Sequence, residues 1–226
     1  MQSIKYGIIG AFIKFAFART AFDYIGKEIP ELNMPEYKKR AAREYRAIVE
    51  RTPGIGSIKE NMFVMTMYAG AFVIALYKEA EGKIDEERLK GLIRACAYCP
   101  LMVKAKAGKS AFTEKVITNR TQQAQWSRDH IKEYPMNWYF YFKNVPGKDE
   151  YYITYKECGI CKLTRQEGCE EITKYLCMMD YYTFEMQGAV LDRTKTLGYG
   201  DDECNFHLMS RERAEEIGFV KSESAK

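Results

Sequence analysis

Apolar positions in the first half of the chain recur at helical spacing. Ile8, Ile9, Phe12, Ile13, Phe15, Ala16 and Phe22 keep an apolar face through a first helix that must end before Pro30. Pro35 opens a second, strongly charged helix over 36–50, closed by Thr52-Pro53-Gly54. A central apolar helix is expected over 58–78. Asp85 serves as the N-cap of a fourth, with Leu89, Leu92, Ile93 and Cys96 on one face, and Pro100 stops it. Ser110 is expected to cap a fifth, amphipathic helix running to about Tyr134. After Pro135 the period changes. The aromatic run 137–142 and the alternating run 150–156 flank the turn Pro146-Gly147-Lys148-Asp149 and read as an antiparallel hairpin. A helical stretch over 160–177 is broken at Gly168. Two more strands are expected over 181–197 and 203–209, around Gly198-Tyr199-Gly200-Asp201-Asp202, and the polar tail 210–226 carries a short helix near 211–217.

The expected class is therefore α+β: a helical N-terminal half packed on a small antiparallel β-sheet with an inserted helix. No internal repeat or low-complexity linker divides the 226 residues, so one domain is expected, with a helical layer over 1–134, the sheet and its Cys-rich helix over 135–209, and the tail. Length is ample for a core that needs neither disulfide nor metal. Two apolar runs call for a membrane test. The run 6–18 ends in Ala16-Phe17-Ala18 like a signal peptide, but Lys14 interrupts it. The run 62–77 falls short of the roughly 20 residues a span needs and contains Thr66 and Gly70. Both are expected to be core helices. The first carries more apolar surface than one helix face uses, so it is expected to be covered either by the protein's own helices or by a second copy of the chain, in a homodimer through the N-terminal helix.

Composition narrows the function. Thirty-five Lys+Arg against 31 Asp+Glu leave a net charge of only +4, with no dense basic block, so nucleic acid is not an expected partner. The seven cysteines are an odd number, which argues against a secreted disulfide framework and for a reducing cytoplasm. Two histidines leave little room for His-based acid–base chemistry.

The chemistry-bearing residues crowd the last 70 positions. Cys158, Cys161, Cys169 and Cys177 could be a four-thiolate metal site, but only one Cys-x-x-Cys is present and the second pair is seven residues apart, so the expectation is no metal. Cys96, Cys99 and Cys169 are expected to be buried small hydrophobes. Cys158 and Cys161 sit where a strand hands over to a helix, a setting that favours thiolate. Cys177 precedes Asp180 by three residues, which shares a face if a helix continues there. A thiol beside a carboxylate suits attack on an amidine-like carbon, the carboxylate holding the positively charged nitrogens and moving a proton. Arg193 can grip a substrate carboxylate with two N–H groups. Cys204 and His207 are an odd number of residues apart on one strand, so they face opposite ways.

The succession Cys158-x-x-Cys161, Cys177-x-x-Asp180, Arg193-Thr194-x-Thr196-Leu197-x-x-Gly200 and Cys204-Asn205-Phe206 resembles the L-2-amino-thiazoline-4-carboxylic acid hydrolase family. Asn205 stands where that family usually has an acid. The resemblance implies hydrolytic opening of a cyclic isothiourea carboxylate, or a related small C–N or C–S ring, with no cofactor. It selects Cys204 over His207 for the site. The expected residues are then Cys177, Asp180 and Cys158 for catalysis, and Arg193, Cys161 and Cys204 for binding substrate. The sheet half resembles, more distantly, the four-vinyl reductase ligand-binding domains. The rival expectation is accordingly a non-catalytic module that senses a small ligand or metal, its cavity lined by Tyr139, Tyr141, Tyr151 and Tyr181.

Overall fold

The computed structural model describes residues 4–219. Six helices come first: α1 (Gly7–Glu28), α2 (Met34–Arg51), α3 (Val64–Glu79), α4 (Glu86–Ala97), α5 (Pro100–Lys106) and α6 (Glu114–His130). The second half runs β1 (Tyr139–Asn144), β2 (Glu150–Glu157), α7 (Gly159–Gln166), α8 (Thr173–Leu176), α9 (Met178–Met186), β3 (Ala189–Arg193), β4 (Cys204–Ser210) and α10 (Arg211–Glu216). The four strands form one antiparallel sheet in the order β1-β2-β4-β3. The α+β expectation is what the chain forms.

The caps explain most boundaries. Asn33 Oδ1 accepts from Glu36 N at the head of α2, with Pro35 in the first turn, and Asp85 Oδ1 accepts from Arg88 N at the head of α4. Four expectations need correction. The central helix starts at Val64, not Ile58, because 53–63 turns back on itself through the buried Asn61, whose side chain bonds Ile55 O and Asn137. Pro100 opens α5 at its N-terminus instead of merely stopping α4, since a missing N–H costs nothing in a first turn. Thr113, not Ser110, caps the fifth predicted helix, which ends at His130. The segment 178–186 is helix α9, not strand. Its aromatic residues favour a strand locally, but Phe184 seats it in the core while the helix packs between α4 and β3, and Gly188 at φ +72° ends it.

α3 is buried nearly all round, as a central core helix must be. α2 and α1 flank it, and α6 lies along β1. On the inner face of the sheet Tyr151, Ile153 and Tyr155 of β2 stand beside Leu208, Phe206 and Cys204 of β4, with Leu191 and Arg193 of β3 next in register. One contiguous core joins this face to the helices. Cys96, Cys99 and Cys169 are buried within it as expected. No helix among the described residues is long and apolar enough to cross a membrane. α1 buries Ile13, Phe17, Ala21 and Ile25 but leaves Ile8 89% and Phe15 83% exposed.

Candidate active site

The site is built where the sheet hands over to α7. β2 ends at Glu157, and Cys158 is the extended residue that begins α7. The start of the helix is pinned from outside: Lys162 Nζ donates to Pro135 O at 2.7 Å and to Asn137 O at 2.8 Å. Gly159 is required there, because a Cβ on it would lie 2.5 Å from the Trp138 ring and 2.8 Å from Met136 O. The far end is clamped by Glu167, which takes Arg51 of α2 and Lys78 of α3 as partners. Thr164 and Thr173 join hydroxyls at 2.6 Å and hold α8 against α7. Cys177 lies at the junction of α8 and α9, and Asp180 in the first turn of α9.

These elements bring the six sequence-selected residues into one cluster. Arg193, at the end of β3, donates from Nη1 to Asp180 Oδ2 at 2.9 Å and from Nη2 to Cys177 O at 3.1 Å. Its guanidinium lies between the rings of Tyr181 and Phe206, 4.7 and 4.9 Å from their centroids. Cys204 faces inward and its sulfur accepts from Leu197 N at 3.2 Å. The 3-10 turn Leu197–Tyr199 closes over Cys177, and Gly198 permits it: a Cβ there would come 3.1 Å from Cys177 Sγ. Gly200 ends the turn at φ +91°, which favours glycine. His207 points to the opposite face, stacked on Tyr152 and bonded to Glu150, as its odd spacing from Cys204 requires.

Tyr155, Cys158, Cys177 and Asp180 are each only partly buried, Asp180 with 40% of its side chain exposed, so solvent reaches the cluster. The electrostatics there separate the thiols. Cys158 is held below the ordinary thiol range by the hydrogen bond from Cys161 Sγ and by the Cys161 and Ile160 backbone N–H groups at the head of α7; burial and the Asp180 charge oppose this. Cys161, the donor, is pushed far up by that bond and by burial. Burial lifts Cys177 well above the ordinary value, with the charges of Cys158 and Asp180 adding to it. Burial pushes Cys204 up to about 12. Asp180 is raised by burial against the pull of Arg193. Of the four thiols, Cys158 is the one whose charged form is favoured.

Cys169 stands apart from the cluster, its sulfur 3.7 Å from Thr164 O, so the set Cys158, Cys161, Cys169 and Cys177 is not gathered around one point. Among the described residues no group of three or more His, Cys, Asp or Glu side chains is arranged to hold a metal ion. Of the four tyrosines that might line a sensor cavity, Tyr139 and Tyr141 bond each other on the outer face of the sheet, and Tyr181 is on α9 instead of a strand. Only Tyr151 lies on the inner face. Asn205, the departure from the family pattern, also faces away from the thiols. Its Oδ1 accepts from Thr194 N and Lys195 N, and its Nδ2 donates to Thr194 Oγ1, so it pins the turn that follows Arg193. Arg120 of α6 is a residue the sequence did not single out. It is one basic side chain among many in a polar helix, and nothing in its spacing separates it from a solvated one. Its charge nonetheless acts on both Tyr155 and Asp180.

The family model for L-2-amino-thiazoline-4-carboxylic acid hydrolase matches residues 65–208, and the chain belongs to that family. The matched stretch reaches from α3 through β4 and so contains every residue of the cluster. Neither the curated proteins nor the solved structures compared with the chain gave a match.

Proposed function

We propose that this member of the L-2-amino-thiazoline-4-carboxylic acid hydrolase family opens a small cyclic amidine or isothiourea carboxylate by water, with Cys158 as nucleophile and Asp180 as amidinium partner and base. The observation that carries the reading is that Cys158, at the head of α7 where the Cys161 and Ile160 N–H groups meet its sulfur, shares a solvent-reached cluster with the Asp180 carboxylate. Cys158 Sγ adds to the ring carbon that bears the amino group. The ring C–S bond breaks and its sulfur takes a proton, leaving an isothiourea carbon on Cys158. Asp180 accepts hydrogen bonds from the amidinium nitrogens and then a proton from water. That water adds to the same carbon, and Cys158 leaves as thiolate. One water is consumed, and the product is an N-carbamoyl amino thiol.

Cys161 supports the thiolate as a hydrogen-bond donor, and Arg193 supports Asp180. Two of the Arg193 N–H groups are already spent, one on Asp180 and one on the Cys177 carbonyl, so it acts better as a positioning residue than as a substrate clamp. The exposed Ile8 and Phe15 of α1 support a second copy of the chain as a further partner. The test incubates the purified chain with L-2-amino-thiazoline-4-carboxylate and related ring amidines, following the free thiol released and the carbamoyl product by mass. Turnover that disappears in Cys158→Ser supports the mechanism. A ligand that binds and is recovered unchanged overturns it in favour of a sensing module.

A further inference from the structure

Arg120 lies beside the cluster, close enough for its charge to act on Asp180, and forms no ion pair among the described residues. Its guanidinium sits 5.3 Å from the Tyr151 ring centroid and 5.6 Å from that of Phe184. Its Nε is buried and has no hydrogen-bond partner among the described residues. Tyr151 Oη, also buried, lies against the same guanidinium. Lys106 of α5 is the next cation, half-buried, its ammonium disfavoured first by burial and then by the charge of Arg120. Lysine can relieve this by losing its proton; arginine cannot. Arg193 is balanced differently. Its side chain, 2% exposed, is matched by the Asp180 carboxylate. The cluster therefore holds one ion pair and, near it, an arginine without one; each arginine has a buried Nε with no partner among the described residues. A buried group with an unmet donor is a place where a ligand atom gains a full hydrogen bond.

We propose that Arg120, with Tyr151 Oη beside it and Lys106 behind it, binds a carboxylate group of the substrate, leaving Arg193 to hold Asp180. This rests on the hydrolase reading for the identity of the substrate, but not for the existence of the anion site. The ligand class is a small ring with a cationic amidine or isothiourea end and a single carboxylate. The amidine end turns to Asp180 and the carboxylate to Arg120. Both charges of such a ligand then meet their opposites, whereas a clamp at Arg193 would set the carboxylate beside Asp180 and repel it.

The test uses the full chain and two rings that differ by one group: L-2-amino-thiazoline-4-carboxylate and 2-amino-thiazoline, which lacks the carboxylate. Binding is measured by calorimetry and turnover by product mass. Wild type should bind the carboxylate ring more tightly. Arg120→Gln should weaken its binding about tenfold or more and raise KM with kcat little changed, while leaving the decarboxylated ring unaffected. Arg120→Lys should restore part of the preference. Thermal unfolding of each variant identifies one that has lost its fold, in which case Lys106→Met serves in its place and should reduce the same preference. If wild type binds the carboxylate ring by an Arg120-dependent preference yet turns neither ring over, the hydrolase reading fails and the anion site stands. The anion site is overturned if wild type shows no preference, or if the preference survives in Arg120→Gln and disappears in Arg193→Gln.

Discussion

Replacing Asp180 by Asn removes a charge at the centre of the cluster, and the sign of three responses can be worked out. The pair with Arg193 spans 2.9 Å. Two unit charges about 4 Å apart attract by about 4 kcal/mol at an effective dielectric of ~20 and by about 1 kcal/mol in water. Arg193 is almost fully enclosed, but 40% of the Asp180 side chain meets solvent, which screens the pair toward the lower limit. Asn keeps an oxygen for Arg193 Nη1, so the expected loss of stability is about 1–2 kcal/mol, or roughly 2–8 °C in Tm for a chain of this size. The second response is at Cys158. The Asp180 charge disfavours its thiolate, so removing that charge should let Cys158 titrate at lower pH than in wild type. The third is turnover, which should fall by ~10²–10⁴-fold if Asp180 is the base. Alkylation of Cys158 by iodoacetamide between pH 5 and 9, followed by peptide mass, reads the second response apart from the third. A variant whose thiol becomes more reactive at low pH while turnover collapses assigns the proton step to Asp180. Turnover within a few-fold of wild type, or a Cys158 profile that stays put or moves to higher pH, refutes the reasoning.

Cys161→Ala removes the thiol that donates to Cys158, so Cys158 should titrate at higher pH and alkylate more slowly near neutrality, read by the same assay. Gly159→Ala forces a Cβ against the Trp138 ring and the Met136 carbonyl; at an overpacked site this should cost about 1–3 kcal/mol in urea unfolding and lower turnover by displacing Cys158. Glu167 is 2% exposed; burial opposes its charge, but bonds from Arg51 and Lys78 hold its carboxyl down to about 2. Because the folded value lies below the ordinary one, its contribution to stability is complete above about pH 4.5 and is lost as pH falls toward 2, so Glu167→Gln should flatten the acid limb of a Tm-versus-pH curve. That variant should also lose about 1–3 kcal/mol at pH 7, since Arg51 and Lys78 keep Glu44 but lose their second carboxylate. Finally, if a second copy covers α1, sedimentation should show a dimer that Phe15→Glu converts to monomer with unchanged far-UV circular dichroism; a wild-type monomer at micromolar concentration would rule this cover out.

The sequence by itself determined the class and most of the elements, because the decisive signals are local. Pro35 at the head of α2, the apolar face of α4 and its cap at Asp85, and the change to alternation after Pro135 act within a few residues of where they are written. Strand alternation put Cys204 and His207 on opposite faces, and the family resemblance chose Cys204 between them. The sequence could not decide 178–186, where aromatic residues that favour a strand become helix α9 because the space between α4 and β3 takes a helix. The tasks within the site were also beyond it. Spacing collects Cys158, Cys161, Cys177, Asp180 and Arg193 as candidates, but which thiol is charged depends on a hydrogen bond from Cys161 and on backbone N–H groups at the start of α7. Whether Arg193 is free for substrate depends on Asp180 and the Cys177 carbonyl already occupying it. Arg120 left no mark in the sequence at all. Its importance comes from α6 lying along the sheet, which sets one ordinary basic residue of a polar helix over Tyr151 and Phe184 and near Asp180 with no ion pair among the described residues, an arrangement only packing between distant elements creates.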